Sequence, residues 1–558
     1  MPTGATPDPS FPVNAPSPAR SWDVVIMGGA ISGGATACLL LRANPALRVL
    51  ILERNSTFKR RVGESTVEVS AFFLGRILDL TDHLLEKHLV KQGLRFWFKN
   101  EQTAALDECS EIGPGYNVRL PGYQVDRAVL DEEVLSRAVT LGAVVRRPIL
   151  VRGVDLEPGG LQTLNWEDEH GGRGAEKARW VVDASGVGAV LARKNGWLSL
   201  NREHPIAAVW SRWSGVKNWD SRALANKYPE WARRTKAVRF TATNHLLGRG
   251  WWAWLIPLKG GDVSIGLVFD QRLVELAEGE HLGERLRTML ETHPVARELL
   301  ADATWNPGDV HFRRNLAYSS STFAGDGHVL VGDAAAFIDP FYSPGLDWIS
   351  YSASAAAKLV GDSLTGTAQS QAITRHNALF SASYQRWFTA IYRDKYLYMG
   401  DYELMSLAFR LDLGLYYAGV ASQPFKHGAA ALETPAFAGP GTFLPAHIIA
   451  FYNRRLAAMG RERLRRGTWG RQNSGRHLSF RSYELSGMLY WRLVLALLAY
   501  LKLELSEGWR SWFRATELSG ELPPHPSRSP ARAQVHRAST PPHSRDSDVP
   551  PLSNAPTA

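Results

Sequence analysis

From residue 21 onward, apolar positions recur with the spacing of buried strands and amphipathic helices. Residues 21–27 form an apolar run that predicts a strand, and residues 32–42, rich in Ala and Leu, predict a helix. A second apolar run at residues 48–52 predicts another strand, which Glu53 follows directly. A strand, a helix and a strand of these lengths are typical of a βαβ unit with parallel strands.

The rest of the chain continues as a mixture of strand and helix patterns. Further predicted elements are a helix at 124–141, strands at 180–182, 252–257, 263–269 and 328–331, and mostly helices from 375 to 515. Residues 195–325 are rich in predicted strands and interrupt the alternation of strand and helix. The sequence therefore predicts an α/β fold: a Rossmann-like domain, an inserted sheet-rich region and a mostly helical C-terminal region.

The two ends of the chain differ from the rest in composition. Residues 1–20 are rich in Pro, Ser and Ala and lack the apolar segment of a signal peptide. Residues 520–558 are dominated by Pro, Ser, Arg and Thr, which cannot bury a core. We expect the first segment to be a disordered leader and the last to be a disordered tail.

The chain of 558 residues carries a formal net charge of +10. Much of this excess lies in the Arg-rich stretch at 461–481, and no nucleic-acid-binding motif accompanies it, so we expect no nucleic-acid partner. The apolar stretch at 489–503 is interrupted by Arg492 and is shorter than the ~20 residues of a bilayer span. It therefore predicts a core or interfacial helix.

Cys38 and Cys109 are the only cysteines of the chain. They form neither a CxxC pair nor a pattern of metal ligands, so we expect no disulfide framework and no bound metal. Cys38 falls in the predicted helix 32–42, where it suits a buried apolar position. This use of cysteine fits a reducing cytoplasm.

The turn between the first strand and the first helix has the spacing of a phosphate-binding loop. Gly28 and Gly33 occupy the first and third glycine positions of that pattern, and Ala30 replaces the middle glycine. The glycines permit a tight turn and close packing of helix on strand, and the N–H groups of the helix N-terminus attract phosphate. Glu53 is placed to accept hydrogen bonds from a ribose. These features predict that the chain binds a dinucleotide.

Two later strands also end in small residues and an acid. Asp183 is followed by Ala-Ser-Gly, and Gly332 with Asp333 is followed by Ala-Ala. Together with a Tyr-Gln-Val-Asp-Arg segment ending at Arg127, these junctions resemble the p-hydroxybenzoate-hydroxylase-like family of FAD enzymes. The resemblance implies FAD as the cofactor, Arg127 near its phosphates and adenosine, and Asp333 at its ribityl chain.

Two motifs follow the predicted second strand. Gly63, Glu64 and Ser65 begin a Gly-Glu-Ser-Thr segment, and Lys91 begins a Lys-x-x-Leu-Arg-Phe segment. The neighbours of Lys91 alternate between polar and apolar as in a strand, so we expect this side chain to face inward. Burial disfavours the charge of a lysine, shifts its pKa and changes its reactivity.

A third motif completes the set. Trp252 and Trp254 belong to a Trp-x-Trp-x-Ile-Pro segment. With the two preceding motifs, this segment resembles the flavin-dependent halogenases. The resemblance implies that Gly63, Glu64 and Ser65 belong to a strap over the flavin and that Lys91 is the catalytic lysine. It also implies that the tryptophans keep the substrate away from the flavin.

One loop departs from the pattern of that family. Tyr342 stands where tryptophan halogenases carry a glutamate, which disfavours a tryptophan-type substrate. In the family, two successive backbone N–H groups of this loop hold the halide, whereas Pro344 has no N–H. Ser343 and Gly345 remain as the candidate halide-binding residues.

The resemblance implies an enzyme that uses reduced FAD, oxygen and halide to halogenate an electron-rich aromatic substrate, either free or tethered to a carrier protein. A separate flavin reductase would supply the reduced FAD, since no second nicotinamide-binding motif is evident. The catalytic candidates are Lys91, Glu64 and Tyr342. The predicted boundaries are 21–375 for the FAD-binding domain, with 195–325 as its substrate part, and 376–519 for the helical region.

Two alternatives stay open on the sequence. Pro344 favours an FAD-dependent hydroxylase or reductase of the same fold, because a poorly held halide would divert the chemistry. The basic, aromatic C-terminal region with its apolar stretch at 489–503 raises a third hypothesis: a flavin-binding or membrane-surface protein without turnover of its own. That hypothesis ranks last, since it gives no role to Lys91 or to the tryptophan motif.

Overall fold

The computed structural model describes residues 21–366, 369–480 and 488–512, so the predicted leader at 1–20 and the predicted tail at 520–558 lie outside the described residues. The strands, in chain order, are β1 (Trp22–Met27), β2 (Val49–Leu52), β3 (Leu89–Val90), β4 (Leu94–Phe98), β5 (Ser110–Pro114), β6 (Tyr123–Gln124), β7 (Val144–Arg146), β8 (Ile149–Asp155), β9 (Gln162–Asp168), β10 (Arg173–Asp183), β11 (Leu198–Leu200), β12 (Ile206–Ser214), β13 (Thr243–Gly248), β14 (Trp251–Pro257), β15 (Val263–Asp270), β16 (Thr304–Trp305), β17 (His311–Arg313), β18 (Tyr318–Ser320), β19 (Ala324–Gly325), β20 (His328–Leu330), β21 (Ala336–Phe337) and β22 (His477–Phe480).

The helices, in chain order, are α1 (Ile31–Ala43), α2 (Glu68–Phe72), α3 (Thr81–Lys87), α4 (Arg127–Thr140), α5 (Val190–Lys194), α6 (Arg222–Lys227), α7 (Pro229–Arg233), α8 (Leu282–Glu291), α9 (Pro294–Leu299), α10 (Gly345–Leu364), α11 (Gln369–Trp387), α12 (Tyr402–Tyr416), α13 (Ser422–His427), α14 (Phe443–Arg465) and α15 (Met488–Ser506). Short π-helical turns extend α11 and α12, at Phe388–Tyr392 and Tyr417–Ala421.

The first sheet is built on the predicted βαβ unit. Its strands run in the order β19-β20-β10-β1-β2-β7, and β9 and β8 extend it from β10. β1 pairs in parallel with both β10 and β2. Val24, Val25 and Ile26 are fully buried, as expected for a central parallel strand covered on both faces. The predicted Rossmann-like sheet is therefore confirmed.

The second sheet draws on more of the chain than the predicted region 195–325. Its order is β16-β12-β15-β14-β13-β4-β5-β22, with β17 beside β12. The strands from β12 to β15 do come from that region. However, β4 pairs in parallel with β13, and β5 and β22 continue the sheet from distant parts of the sequence. The sheet-rich region is thus completed by strands on either side of it, which brings the segment after Lys91 next to β13.

One predicted helix begins later than its pattern suggested. The sequence predicts a helix from residue 124, whereas Tyr123–Gln124 pairs with β3 and α4 begins at Arg127. The carboxylate of Asp126 accepts a hydrogen bond from the Ala128 N–H, which makes Asp126 the N-cap of α4. The apolar periodicity of the sequence continues across Asp126, so it did not show where the helix begins.

The region after residue 375 is mostly helical, as predicted. The π-helical turns that end α11 and α12 widen those helices locally, which is common at functional sites. The apolar stretch at 489–503 is helical within α15. Among the described helices, none is both long enough and apolar enough to cross a membrane.

Candidate active site

The glycine turn leaves no room for side chains at its two glycine positions. Gly28 has a φ of +97°, and a Cβ there would lie 2.5 Å from the carbonyl oxygen of Ala184. A Cβ at Gly33 would overlap the carbonyl oxygen of Gly28. Ala30 directly precedes α1 and has an extended conformation that accommodates its methyl group. The turn therefore keeps the close strand-to-helix packing of a dinucleotide-binding fold despite the alanine.

Glu53 is buried at the end of β2 and contacts the glycine turn. Its Oε2 accepts a hydrogen bond of 2.8 Å from the Gly29 N–H, and its Oε1 accepts one of 2.9 Å from the Asn55 N–H. This position beside the turn is the one from which an acid binds the ribose of a dinucleotide.

Asp183 ends β10 and is fully buried. Its Oδ1 accepts a hydrogen bond from the Ser185 N–H at 3.0 Å, and its Oδ2 accepts one from the Leu191 N–H at 2.7 Å. The carboxylate thus ties the end of the strand to the start of α5. In the geometry described, Asp183 organises the backbone next to Gly28, and its predicted contact with the cofactor stays a prediction.

A large open cavity of about 1340 Å³ collects many of the predicted residues. We call it the tryptophan cavity, after Trp252 and Trp254 in its wall. Its lining also includes Gly63, Glu64, Ser65, Arg127, His245, Asp333, Ser343, Pro344 and Gly345. Gly28, Ala30, Gly33, Glu53, Asp183 and Gly332 are not among the described residues that line it.

Arg127 connects this cavity to the N-terminus of α1. Its Nε donates to Asp131 Oδ1 at 3.1 Å, and the same oxygen accepts a hydrogen bond of 3.2 Å from the Ile31 N–H. A Cβ at Gly63, whose φ is +96°, would lie 2.8 Å from Nη1 of Arg127. Glycine at this position therefore lets the strap pass close to the guanidinium, where an anionic cofactor would bind.

Asp333 lies in the wall of the tryptophan cavity. Burial raises the pKa of its carboxyl group, and the charge of Arg127 opposes that shift. The preceding Gly332 has a φ of +62°, and a Cβ there would lie 2.6 Å from Ser32 Oγ on α1. The absence of a side chain lets this junction approach α1 closely.

Glu64 is buried in the strap and ion-paired. Its Oε1 accepts a hydrogen bond of 2.6 Å from Arg212, which also donates to Asp126 at 2.9 Å. Burial raises the pKa of the Glu64 carboxyl group, and the charge of Arg212 opposes that shift. Through Arg212, Glu64 therefore anchors the strap to β12 and to the N-cap of α4. Its catalytic role stays a prediction.

The two tryptophans form a braced wall. Trp252 and Trp254 alternate along β14, so their rings share one face, with centroids 5.9 Å apart. The Trp252 indole N–H donates to the Tyr396 hydroxyl at 2.9 Å, and that hydroxyl donates to Asp339 at 3.0 Å. His204 lies 2.7 Å from the same carboxylate oxygen. This buried chain of contacts holds the wall in place.

A second cavity, of about 1020 Å³, contains Lys91 and is called here the lysine cavity. Its lining includes Thr66, Glu68, Lys91, Tyr342, Pro344, Asp347, Trp387, Ile391, Tyr392, Phe409, Asp412, Tyr416, Tyr417, Phe437, Ile449 and Phe480. Eight aromatic side chains contribute to this surface, and three carboxylates lie among them. Much of it comes from the helical region, which carries no recognisable sequence motif.

Lys91 is only 3% exposed. Its Nζ donates hydrogen bonds of 2.8 Å to Ser65 Oγ and to the Thr66 carbonyl oxygen. Burial lowers its pKa to about 8, and the nearby charges of Glu68 and Asp347 limit the shift. β3 ends one residue earlier, at Val90, so the predicted strand position of Lys91 is wrong. The expectation that its side chain faces inward is correct.

Lys91 lies at the boundary between the two cavities. Ser65, which accepts one of its hydrogen bonds, lines the tryptophan cavity, and Thr66, which accepts the other, lines the lysine cavity. Pro344 and Trp387 line both. The ammonium group is therefore held by the strap segment that separates them.

Asp347 is a buried acid of the lysine cavity that the sequence reasoning missed. It lies in the first turn of α10, where Oδ1 accepts a hydrogen bond of 2.9 Å from the Ser70 N–H. Its Oδ2 accepts one of 3.2 Å from the Tyr416 hydroxyl. Burial raises its pKa to about 7, although the hydrogen bonds from Ser70 lower it. An acid two residues after Gly345, between the apolar residues Leu346 and Trp348, was the available signal.

Tyr342 also lines the lysine cavity, beside a second buried ionic group. Its hydroxyl donates to Asp412 Oδ2 at 3.3 Å, and Nζ of the fully buried Lys395 donates to the same oxygen at 2.6 Å. Asn453 accepts a further hydrogen bond from Lys395 at 3.0 Å. Burial, reinforced by the Asp412 charge, raises the pKa of Tyr342 well above its usual value. Sequence spacing gave no sign of this network, because its members are far apart in the chain.

The loop before α10 has an unusual backbone. Tyr342 and Ser343 have φ values of +70° and +60°, a conformation that residues other than glycine rarely adopt. The Ser343 N–H donates to the Pro340 carbonyl oxygen at 2.9 Å, and Gly345 begins α10. Because the first N–H groups of a helix have no partner within it, the N–H of Gly345 is available at the wall of the tryptophan cavity.

Comparison with known proteins identifies the family. The sequence pattern of the family described as tryptophan halogenase matches residues 23–118 and 113–393. Flavin-dependent halogenase chlA of Dictyostelium discoideum is 30% identical over 363 residues, which span 59% of this chain and 58% of that protein. Sulochrin halogenase gedL of Aspergillus terreus is 26% identical over 397 residues, 66% of this chain and 68% of that protein.

Solved structures share the fold at lower sequence identity. The halogenase PltM superposes with a TM-score of 0.66 and 19% identity, over 87% of this chain and 97% of that chain. The chondrochloren halogenase CndH gives a TM-score of 0.57 and 23% identity, over 67% and 82% of the two chains. The predicted resemblance to flavin-dependent halogenases is confirmed by the family match. The chain therefore belongs to the tryptophan halogenase family of flavin-dependent enzymes, with FAD as its cofactor.

Proposed function

We propose that this chain uses reduced FAD, oxygen and a halide to halogenate an electron-rich aromatic ring bound in the lysine cavity. The observation that carries the proposal is the position of Lys91. Its Nζ donates to Ser65, a residue of the tryptophan cavity, while its side chain lines the lysine cavity. A small oxidant made on one side of the strap would meet Lys91 before it meets a substrate on the other side.

The tryptophan cavity has the residues to hold FAD. Gly63 lets the strap approach Arg127, whose guanidinium would bind the phosphates, and Asp333 in the wall of the same cavity would bind the ribityl chain. Trp252 and Trp254 would keep an aromatic substrate out of this cavity. When bound and reduced, FAD supplies the chemistry that turns oxygen and halide into hypohalous acid.

The halide would bind at the N-terminus of α10. The Gly345 N–H is available there, and the positive end of the dipole of this 20-residue helix favours an anion. Ser343 lies in the same wall and offers its hydroxyl, since its own N–H is bonded to Pro340. Pro344 removes one donor from the loop, but it is the N-cap of α10, whose first N–H groups would take over that role.

Lys91 and Asp347 would carry out the two proton transfers of the substitution. Aromatic halogenation replaces one ring hydrogen by halogen and releases the oxygen of the hypohalous acid as water. The Lys91 ammonium, with two of its three N–H groups on Ser65 and Thr66, has one N–H left to protonate the departing oxygen. Asp347, with a pKa of about 7, would take the ring proton.

The substrate is proposed to be a phenol-type aromatic. Tyr342 stands in place of the glutamate of the tryptophan-specific enzymes. The aromatic rings in the lining of the lysine cavity would stack on a flat substrate. Glu68 and Asp347 offer acceptors to its hydroxyl groups. Two relatives point the same way: gedL is described as a sulochrin halogenase, and PltM has been solved with phloroglucinol and FAD.

A separate flavin reductase is proposed as the electron donor, because one dinucleotide-binding turn serves FAD. Supplying chemically reduced FAD in place of the reductase should therefore support turnover. A carrier protein for the substrate stays a prediction from the sequence.

The decisive assay combines purified protein, reduced FAD, bromide and a panel of phenols, pyrroles and indoles, with product masses as the readout. We expect a brominated phenol whose formation depends on bromide. A product that gains oxygen or two hydrogens, formed equally well without halide, would instead establish the hydroxylase or reductase alternative.

A further inference from the structure

The C-terminal helices expose an unusual amount of apolar surface. More than half of the exposed large apolar side chains of the described residues belong to α14, to α15 and to the turn that follows α15. Trp491 is 61% exposed and Leu505 is 71% exposed. Single exposed apolar residues are ordinary, but a contiguous group marks a surface that meets another apolar phase. We call this surface the C-terminal apolar face.

On α15 the exposed residues form one stripe. Tyr490, Trp491, Leu498, Leu501 and Leu505 are exposed, and helical geometry places them within less than half a turn of one another. The opposite side of α15 is also apolar and packs on the protein through Ala496, Tyr500 and Leu503. A helix that is apolar all round is normally buried all round. α15 is buried on one side only.

The charges of this region are sorted by sign. Glu504 is buried and bound to Arg455 at 2.6 Å, and Glu507 is buried and bound to Arg463 at 2.7 Å. Glu462, the remaining acid of residues 443–470 and 488–512, is buried as well. The exposed charges of these described segments are therefore cationic, among them Arg454, Arg466 and Lys502.

Aromatic side chains lie at both ends of the stripe. Tyr490 and Trp491 are in the first turn of α15, and Trp509 and Trp512 follow its last turn, each about half exposed or more. Tyr and Trp prefer the level of lipid headgroups, where an apolar ring and a polar N–H or O–H are both satisfied. Leucine and valine fill the middle of the stripe.

We propose that the C-terminal apolar face binds the surface of an anionic phospholipid bilayer, with α15 lying in the plane of the interface. Apolar side chains would enter the headgroup–acyl boundary, and the surrounding cations would meet lipid phosphates. A second copy of the chain fits less well, because a two-fold contact would place the same cations opposite one another. No described helix spans a membrane, which agrees with an in-plane arrangement.

Vesicle co-sedimentation of the full-length protein tests the proposal. We expect the protein to pellet with vesicles of phosphatidylglycerol and phosphatidylcholine, and to pellet at least about tenfold less with phosphatidylcholine alone. Raising the salt concentration should weaken the binding, because headgroup attraction is screened. Protein that stays in the supernatant with both vesicle types would overturn the proposal.

Two pairs of substitutions separate the apolar part from the charged part. Replacing Trp491 and Leu498 with Ser should lower binding at least about tenfold, whereas replacing Leu150 and Leu200 with Ser, also exposed but distant in sequence, should leave it unchanged. Arg454→Gln with Lys502→Gln should lower binding to anionic vesicles about 25-fold, from about fivefold per charge.

Sedimentation velocity on the same variants tests whether a second copy of the chain occupies the C-terminal apolar face instead. A dimer that forms without lipid and is lost in the Trp491→Ser, Leu498→Ser variant, together with no vesicle binding, would assign the face to a second copy and refute the lipid proposal. The variants should brominate at the rate of the parent protein in detergent-free buffer. The vesicle assay therefore tests the membrane proposal, and the bromination assay tests the proposed function separately.

Discussion

The tryptophan cavity and the lysine cavity meet at one wall but are built in different ways. The first is lined mainly by segments that carry motifs: the strap, the Trp-x-Trp-x-Ile-Pro strand and the loop before α10. The second takes much of its wall from α11, α12, α14 and the π-helical turns, where no motif exists. A cofactor site depends on backbone shape, which restricts residue types at fixed spacing. A substrate site depends on side chains gathered from many elements, which leaves no fixed spacing.

This difference leads to an expectation for function. Changes in the tryptophan cavity should alter how FAD is bound, and changes in the lysine cavity should alter what happens after it is bound. Lys91 lines the lysine cavity and donates a hydrogen bond to Ser65 of the tryptophan cavity, so it provides the strongest test of whether the two can be separated.

Lys91→Met should lower the rate of bromination about 1000-fold, because the variant loses the proton donor at the departing oxygen. FAD affinity should stay within about twofold, since Lys91 lines the lysine cavity. Initial rates and a fluorescence titration of FAD measure the two effects.

Lys99→Met is the matched control for that substitution. Lys99 is partly buried and donates to the Thr292 carbonyl oxygen at 2.6 Å, away from the lining of either cavity. It should brominate at the parental rate. A Lys91→Met enzyme that kept a tenth of parental turnover would remove Lys91 from the chemistry.

Asp347→Asn should lower the rate about 100-fold and change its dependence on pH. In the parent, Asp347 must be ionised, which it is above its pKa of about 7, and Lys91 must be protonated, which it is below its pKa of about 8. We therefore expect a narrow bell-shaped pH–rate profile between these values. The variant should keep the decline at high pH and lose the rise at low pH; an unchanged rise would contradict the role of Asp347.

Gly63→Ala should weaken FAD binding about tenfold to 100-fold. An alanine there must adopt a φ of +96°, and its Cβ would lie 2.8 Å from the Arg127 guanidinium. The strain amounts to about 1–3 kcal/mol. At saturating reduced FAD the rate of bromination should recover to within about threefold. Gly142→Ala is the control, since its φ is +109° and no atom lies within 4 Å of the added carbon. Equal losses of FAD affinity in both variants would mean that backbone conformation alone is responsible.

Trp252→Phe should have the smallest effect. It removes the hydrogen bond to Tyr396 at 2.9 Å, worth about 1 kcal/mol, and keeps an aromatic ring in the wall. The midpoint of thermal unfolding should fall slightly, and bromination should stay within about threefold. Loss of FAD binding in this variant would show that the brace from Trp252 to Asp339 shapes the cofactor site itself.

The sequence predicted the fold where local patterns dominate. The glycine turn, the strands beside it and the helical C-terminal region all follow from apolar periodicity and turn chemistry. It missed the start of α4, because the periodicity continues through the Asp126 cap, and it placed Lys91 in a strand that ends at Val90. In both cases pairing with a distant segment decided the boundary.

The candidate site was predictable from the sequence only where its residues belong to motifs. Residues in motifs, such as Gly63 and Trp252, could be named from their spacing. Asp347 and the buried Lys395–Asp412 pair could not, because their roles come from burial and from partners far away in the chain. Asp183 was predicted to bind the cofactor and Glu64 to be catalytic; the structure adds a backbone partner for Asp183 and an ion-pair partner for Glu64, and both roles stay predictions.

The loop before α10 has a consequence for how this enzyme tolerates mutation. Tyr342 and Ser343 both hold a left-handed backbone, which glycine adopts without cost and asparagine or aspartate adopt more readily than other residues. Variation at residue 342 should therefore be ranked by backbone preference before size or polarity. A saturation library at this position would enrich Gly, Asn and Asp for abundance. The large residues that reshape the lysine cavity would survive only in a background already made more stable.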